Sequence, residues 1–472
     1  LCNQFIKENN HLGLALIARQ KGIPPLLRHK IWPILLKYHP YVINPYLSAN
    51  VENDSDNDIP EGKIKSELLK YFRIRNILDD ENSQPNNNNN SNNNGNVSPD
   101  YKTSALEEEI IRILEASILK FFKKWGAIIK YDAGFAWIAL NLAEWFPPIP
   151  GSNYVLIGRD VINQKDPHNK HLTQLSSLKD EEEFSLDEQQ FEQEEDQDEG
   201  AIMTFAEVYE RLVLVLLHSN ESDDKEHNQD DSKNTVDIIS SNNLNRLELL
   251  FKSGNIESRI GFFLIAFAKL LPELYKSLSE EEIVNSNSNK NNQWLTWWFK
   301  YCGAKVFDKF DRGRLWDLLI GFRLSYSNFE YKFFDNSRVL KRFKKFYNDD
   351  DFKFDNDLNV EFQTDAFWYK PSNDEKNELK WSQCDYQIQL VFIYIAILQK
   401  NESKLLEFDQ FEIKNFLNKL PNDKFKEIHE LNTINDPKLL NNSDYVSNDF
   451  EKLFNQAGEL WRNWLWNEIR DE

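Results

Sequence analysis

Apolar residues recur every three or four positions through most of the chain, and stretches with no such period separate them. The pattern predicts a helical segment over residues 12–37, interrupted at Gly22-Ile23-Pro24-Pro25. Its second part carries Leu27, Ile31, Ile34 and Leu35 on one side. Arg28 lies one turn before Trp32, so its guanidinium is expected to lie against that indole. The next helix is expected over 64–78, with Ile64, Leu68, Tyr71, Phe72 and Arg75 on one stripe and Glu67, Lys70 and Arg73 on another. Ser104-Ala105-Leu106-Glu107 is a capping box that opens a helix through Ile110, Ile113, Leu114, Ile118 and Phe121. From Trp125 to Pro148 a loop turns into a helix whose buried face holds Phe135, Ile138, Ala139, Leu142 and Phe146. Pro147 and Pro148 stop that helix, because proline lacks the N–H and restricts the residue before it. Asp132 is expected to cap it and so to face away from its neighbours.

Further helices are expected over 204–217, 256–278, 294–299, 312–319, 389–399, 412–420 and 450–469. Every one of these elements is helical, which makes the fold class all-α. Between them fall polar segments at about 81–100 (asparagine-rich), 164–200, 219–243 and 285–292. No packed core can come from such composition. The expected organisation is one multi-helix domain over 1–421 with long low-complexity insertions, then a linker and an amphipathic helix over 422–472.

Charge changes this picture little. The net charge is −21, and the stretch from Asp180 to Glu199 supplies twelve acidic residues and no basic one. The acidity therefore belongs largely to one solvated insertion, and it disfavours nucleic acid and anionic membrane as partners. Only 15 glycines are present, against 33 phenylalanines and 13 tryptophans, which supports a sizeable core and argues against glycine-rich phosphate loops. Cys2, Cys302 and Cys384 are far apart, odd in number and lack metal-ligand spacing, as expected of free thiols in a reducing compartment. The longest apolar runs, 260–268 and 390–398, are too short to span a bilayer, so no transmembrane segment is expected.

Taken singly, the candidate chemical motifs are weak. His168 and His171 are three apart with Asp166 nearby, but they follow Pro167 in a polar loop and nothing else in the sequence completes a metal site. There is no Gly-x-Ser-x-Gly elbow and no phosphate-binding glycine loop followed by Lys-Ser/Thr. Acidic pairs at 181–183 and 194–196 lie in low-complexity sequence. Lys341-Arg342-Phe343-Lys344-Lys345 reads as a solvated face. No cofactor and no metal are expected.

The order of the motifs is more specific than any one of them. Gly22-Ile23-Pro24, then Arg28 and Trp32, resembles the opening signature of the TBC domain, the helical domain of Rab GTPase-activating proteins. Ile64-x-x-Glu67-Leu68-x-Lys70-x-Phe72 falls where that family has Ile-x-x-Asp-Leu-x-Arg-x-Phe, and Tyr131-Asp132-Ala133-Gly134 falls where it has Tyr-x-Gln-Gly. Leu271-Pro272-Glu273-Leu274-Tyr275, residues 294–299, Arg314-Leu315-Trp316-Asp317 and residues 389–421 are similar to its later helices. The resemblance implies a Rab-class small GTPase as partner. It also implies that an arginine and a glutamine act on the transferring phosphate and the attacking water. An arginine finger is worth about 10³–10⁵ in rate. Here the arginine position is Lys70, which keeps the charge but loses the planar fork, and the glutamine position is Ala133, which cannot place a water. Arg73, one turn beyond Lys70, is a candidate displaced finger. The resemblance thus implies a GTPase-activator-like protein with little or no activity of its own; the alternative is an active one using Lys70 or Arg73 with the GTPase's own glutamine. The asparagine-rich insertions and both altered positions also resemble the fungal oxidant-induced cell-cycle arrest protein 5 family, which implies a cytoplasmic protein.

Overall fold

A computed structural model of the chain describes residues 2–43, 45, 61–82, 104–126, 129–158, 171–175, 203–217, 256–284, 293–323, 386–418 and 443–470. The low-complexity segments 83–100, 176–200, 219–243 and 285–292 lie outside them, as do His168, the basic run 341–345 and Cys384. Among the described residues there are sixteen α-helices, one 3-10 turn and two short strands, so the fold is all-α in class. The helices are α1 (Cys2–Lys7), α2 (His11–Gln20), α3 (Arg28–Lys37), α4 (Pro40–Ile43), α5 (Glu61–Asn82), α6 (Ala105–Trp125), α7 (Gly134–Ala143) and α8 (Phe205–Leu216). They continue with α9 (Ile256–Leu270), α10 (Pro272–Glu280), α11 (Gln293–Lys300), α12 (Lys309–Ile320), α13 (Tyr386–Lys400), α14 (Glu402–Glu407), α15 (Gln410–Asn418) and α16 (Ser443–Arg470). No helix among the described residues is long and apolar enough to cross a membrane.

The chain divides into two units. One comprises residues 1–24, 30–46 and 214–472; the other comprises 25–29 and 47–213. In the first unit, α13 is the central element, buried at every position from Tyr386 to Leu398. Continuous burial explains its unbroken apolar run, and α9 and α16 pack along it. Aromatic side chains fill this unit and their polar tips find carbonyls: Trp298 Nε1 donates to Leu417 O at 2.9 Å, and Tyr394 Oη donates to Trp298 O at 2.5 Å. Asp308 caps α12 by accepting from Asp311 N at 2.8 Å. The apolar stretch 256–278 is two helices rather than the single one its periodicity predicts. Pro272 takes the first position of α10, and its ring excludes helical geometry at Leu271, which sits at φ −132°.

In the second unit, α5, α6 and α7 pack against one another. The stripe Ile64, Leu68, Tyr71 and Phe72 of α5 is completely buried. The capping box of α6 forms as expected: Ser104 N donates to Glu107 Oε2 at 2.8 Å and Glu107 N to Ser104 Oγ at 3.3 Å. Glu107 does more than cap, since its Oε1 meets His171 Nδ1 at 2.6 Å, and the Phe72 ring stands edge-on to that imidazole. His171 is therefore a buried structural residue. It belongs to a small antiparallel pair that periodicity does not predict: Tyr154–Leu156 opposite Leu172–Gln174, with Val155 facing Thr173. Three residues per strand are too few to display a period of two. Helix α8 carries a second capping box, Thr204 with Glu207, and Tyr209 Oη donates to Phe135 O at 3.1 Å behind α7.

Candidate functional site

Within the second unit, the exposed face of α5 and the turn before α7 border one cleft of about 510 Å³, lined by Gly62, Lys63, Ser66, Glu67, Tyr131, Asp132 and Ala133. The packing of α5 against α7 brings these stretches together although more than sixty residues of chain separate them. On α5, residues 63, 66, 67 and 70 share one face at helical spacing, opposite the buried stripe. Lys63, Ser66 and Gly62 were not singled out by the sequence analysis, yet the stripe that includes Glu67 and Lys70 extends back one turn to reach them.

Lys70 Nζ is ion-paired to Glu67 Oε1 one turn earlier. The lysine side chain is 51% exposed and the glutamate 18%, so water screens the pair and it is worth at most about 1 kcal/mol. The arginine-finger position therefore carries a loosely held ammonium. The backbone of Arg73 continues α5, but its side chain lies outside the described residues.

On the facing turn, Tyr131 is half-buried, with its ring edge-to-face against Phe122 at 5.4 Å and stacked on Phe135 at 6.3 Å. Its hydroxyl oxygen is buried and meets no hydrogen-bond partner among the described residues. Burial, then the carboxylates of Glu67 and Asp132, push its pKa up to about 12. The hydroxyl therefore keeps its proton at neutral pH. Asp132 Oδ1 accepts from Gly134 N at 2.8 Å, so Asp132 does support the start of α7, but from one residue before the cap position, which Ala133 occupies without a side-chain bond. Asp132 lines the same cleft as Ala133 while its Oδ1 stays bonded to Gly134 N. Ala133 is partly exposed there and offers no polar group.

The remaining motif residues gather elsewhere, most of them in the first unit. Asp317 is completely buried; its Oδ1 accepts from Trp32 Nε1 at 2.7 Å and its Oδ2 from Ile23 N at 3.0 Å. Arg314 donates to Ala18 O and Arg19 O, each at 3.1 Å. Gly22 sits at φ +78°, and a Cβ there would come within 2.6 Å of Arg314 Cδ, so glycine is required twice over. Trp316 Nε1 donates to Cys302 O at 3.1 Å and its ring lies 6.0 Å from Trp32. Pro24 precedes the 3-10 turn Pro25–Leu27. Within the second unit, the Arg28 guanidinium sits 4.2 Å above the Trp145 ring.

The cleft holds ammonium, carboxylate and hydroxyl groups on two rigid elements. Among the described residues there is no cluster of three metal-ligating side chains. Such an arrangement is suited to recognising a polar surface through charge and hydrogen bonds. No protein-family model matches the chain. No solved structure matches it either. Three curated relatives are all called oxidant-induced cell-cycle arrest protein 5. That of Debaryomyces hansenii is 35% identical over the whole chain and 80% of its own length. That of Meyerozyma guilliermondii is 32% identical over the whole chain and 95% of its length. That of Kluyveromyces lactis is 31% identical over 99% of the chain and 92% of its length.

Proposed function

The chain belongs to the oxidant-induced cell-cycle arrest protein 5 family, and for a member carrying this cleft we propose a TBC-like module that binds a small GTPase of the Rab class in the cytoplasm and accelerates its hydrolysis little or not at all. One observation supports this reading above the others. Glu67, which holds Lys70 at the arginine position, lines one cleft together with Tyr131, Asp132 and the glutamine position Ala133, which brings the two motif stretches to one place. What fills those positions sets the expected activity. Lys70 supplies charge without a bidentate fork, and Ala133 cannot orient water. Binding relies on the remaining cleft surface, which keeps its charge and shape.

The test is single-turnover GTP hydrolysis across a panel of Rab-class GTPases, alongside affinity for the same panel. The wild-type chain should bind at least one GTPase and stimulate it far less than a two-finger activator does. Lys70→Arg combined with Ala133→Gln should gain activity while affinity barely changes. Either change alone should recover little, because both groups serve one transition state. Binding to no GTPase would sink the reading. Robust wild-type stimulation that survives Lys70→Ala would also overturn it, and loss of that activity on Arg73→Ala would identify the displaced finger.

A further inference from the structure

Glu67 lines one cleft with Tyr131, and two groups bordering that carboxylate's helix face and cleft both want an acceptor. One is Lys70, whose exposed ammonium Glu67 holds. The other is the Tyr131 hydroxyl, buried at the same cleft with no acceptor among the described residues. A buried O–H donor without a partner is costly and rarely tolerated without a reason. Of the charges that act on this hydroxyl, Glu67 comes first and Asp132 second. Asp132 already accepts the Gly134 N–H, so Glu67 is the acceptor with freedom to move. The Lys70–Glu67 pair is solvent-screened and cheap to break, whereas Glu67 left without a counter-group would be partly desolvated and unpaired.

We propose that Glu67 is a two-position carboxylate, holding Lys70 at rest and passing to the Tyr131 hydroxyl when Lys70 is drawn onto an anionic group of the partner. Tyr131 is then a positioning residue: its O–H takes over the carboxylate and frees the ammonium, and the proton stays on the tyrosine throughout. Only the identity of that anion, a phosphate of GTPase-bound nucleotide, rests on the functional reading above.

The device is testable on the chain alone, by a double-mutant cycle in urea unfolding. In the wild-type background Tyr131→Phe removes an unpartnered hydroxyl, so the unfolding midpoint should stay or rise. In the Lys70→Met background Glu67 has only Tyr131 to turn to, so the same change should lower the midpoint. The Tyr131 ring-carbon Cζ resonance of selectively labelled protein should also shift between wild type and Lys70→Met, which reads the new hydrogen bond without any tyrosine substitution. Equal effects of Tyr131→Phe in both backgrounds, or an unmoved resonance, would overturn the proposal. So would a large loss of stability in the wild-type background, which would make Tyr131 simply structural. With a bound GTPase, Tyr131→Phe should weaken affinity about tenfold, and should have no effect in Lys70→Met. Coupling in the unfolding cycle without any GTPase binding would uphold the two-position carboxylate and sink the functional reading. GTPase binding without coupling would do the reverse.

Discussion

Asp317 and Glu67 both stand out in the sequence as carboxylates inside family-like motifs, and the fold treats them in opposite ways. Asp317 is out of water with both oxygens engaged, one by an indole N–H and one by a backbone N–H. Around it, Arg314 satisfies two carbonyls, and Arg19 Nη1 donates to Gly321 O at 2.7 Å. Glu67 is partly solvated, holds an exposed lysine and shares its cleft with Tyr131, whose hydroxyl has no partner among the described residues. In the first cluster the carboxylate is fully engaged and closed off from water, so it fixes structure. The second is incomplete, and incompleteness on a rigid mount is what recognition of a partner requires. Motif residues of similar chemistry thus divide into a latch and a site according to whether their valences are filled.

Breaking the latch should give the largest effects. Trp32→Ala removes a fully buried indole and should cost about 3–5 kcal/mol by urea unfolding. Asp317→Ala leaves the Trp32 and Ile23 N–H groups without their acceptor and should cost about 3 kcal/mol. The two share a contact, so the double variant should lose less than the sum. Loss of GTPase binding by Trp32→Ala with full stability retained would place Trp32 in a site and break the comparison. In contrast, Lys63→Ala in the cleft and Lys70→Ala beside it should each change stability by no more than about 0.5 kcal/mol. A cost well above that would make the cleft structural.

Cys302 sharpens the contrast from within the latch-bearing unit. Its thiol is buried, donates to Leu216 O at 3.3 Å and has its pKa pushed up to about 12 by burial. In the folded chain it should resist iodoacetamide at pH 7.5 and react only after unfolding, as read by mass-spectrometric mapping of that position. Rapid labelling of folded protein would show that the pocket around it opens.

Local signals carried much of the fold. The Ser104–Glu107 box and the buried stripe of α5 follow from residue chemistry within a turn or two, whereas α7 ends at Ala143 and leaves Phe146, expected on its buried face, outside the helix and half-buried. The Thr204–Glu207 box was equally readable and passed over. Errors arose where distant residues decide. The Trp32 indole is held by Asp317, 285 residues away, and the Arg28 guanidinium by Trp145, partners that no local spacing predicts. Periodicity ran through Leu271 because Pro272 begins a helix as readily as it ends one. For the site, spacing placed Glu67 and Lys70 on one face, and motif order suggested that residues 131–133 join them. That Asp132 lines the cleft, and that the Tyr131 hydroxyl has no partner among the described residues, depends on packing between helices that no single segment encodes.

An unpartnered polar atom in the latch-bearing unit sets a limit on the rule that incompleteness marks a site. His11 Nδ1 is buried without a hydrogen-bond partner among the described residues, and its ring stacks on Tyr38 at 4.1 Å. Nothing described around it forms a cleft, so the expected consequence is acid sensitivity and no binding. Burial, followed by the positive charge of Arg323, holds its pKa below the ordinary 6.5. The unfolded chain therefore takes up this proton first as pH falls. Stability tied to His11 is fully present above the unfolded pKa, declines as pH drops through 6.5, and levels off below the folded pKa. His11→Phe keeps the stacked ring and removes the titration. Between pH 7.5 and 5.5 its urea midpoint should fall less steeply than that of the wild type, a small difference because the imidazole is partly exposed to screening water. Identical slopes for the two proteins would show that His11 does not feel its surroundings. A steeper slope in the variant would mean that the folded state favours the charged ring, and that an anionic partner for His11 exists beyond Tyr38 and Arg323.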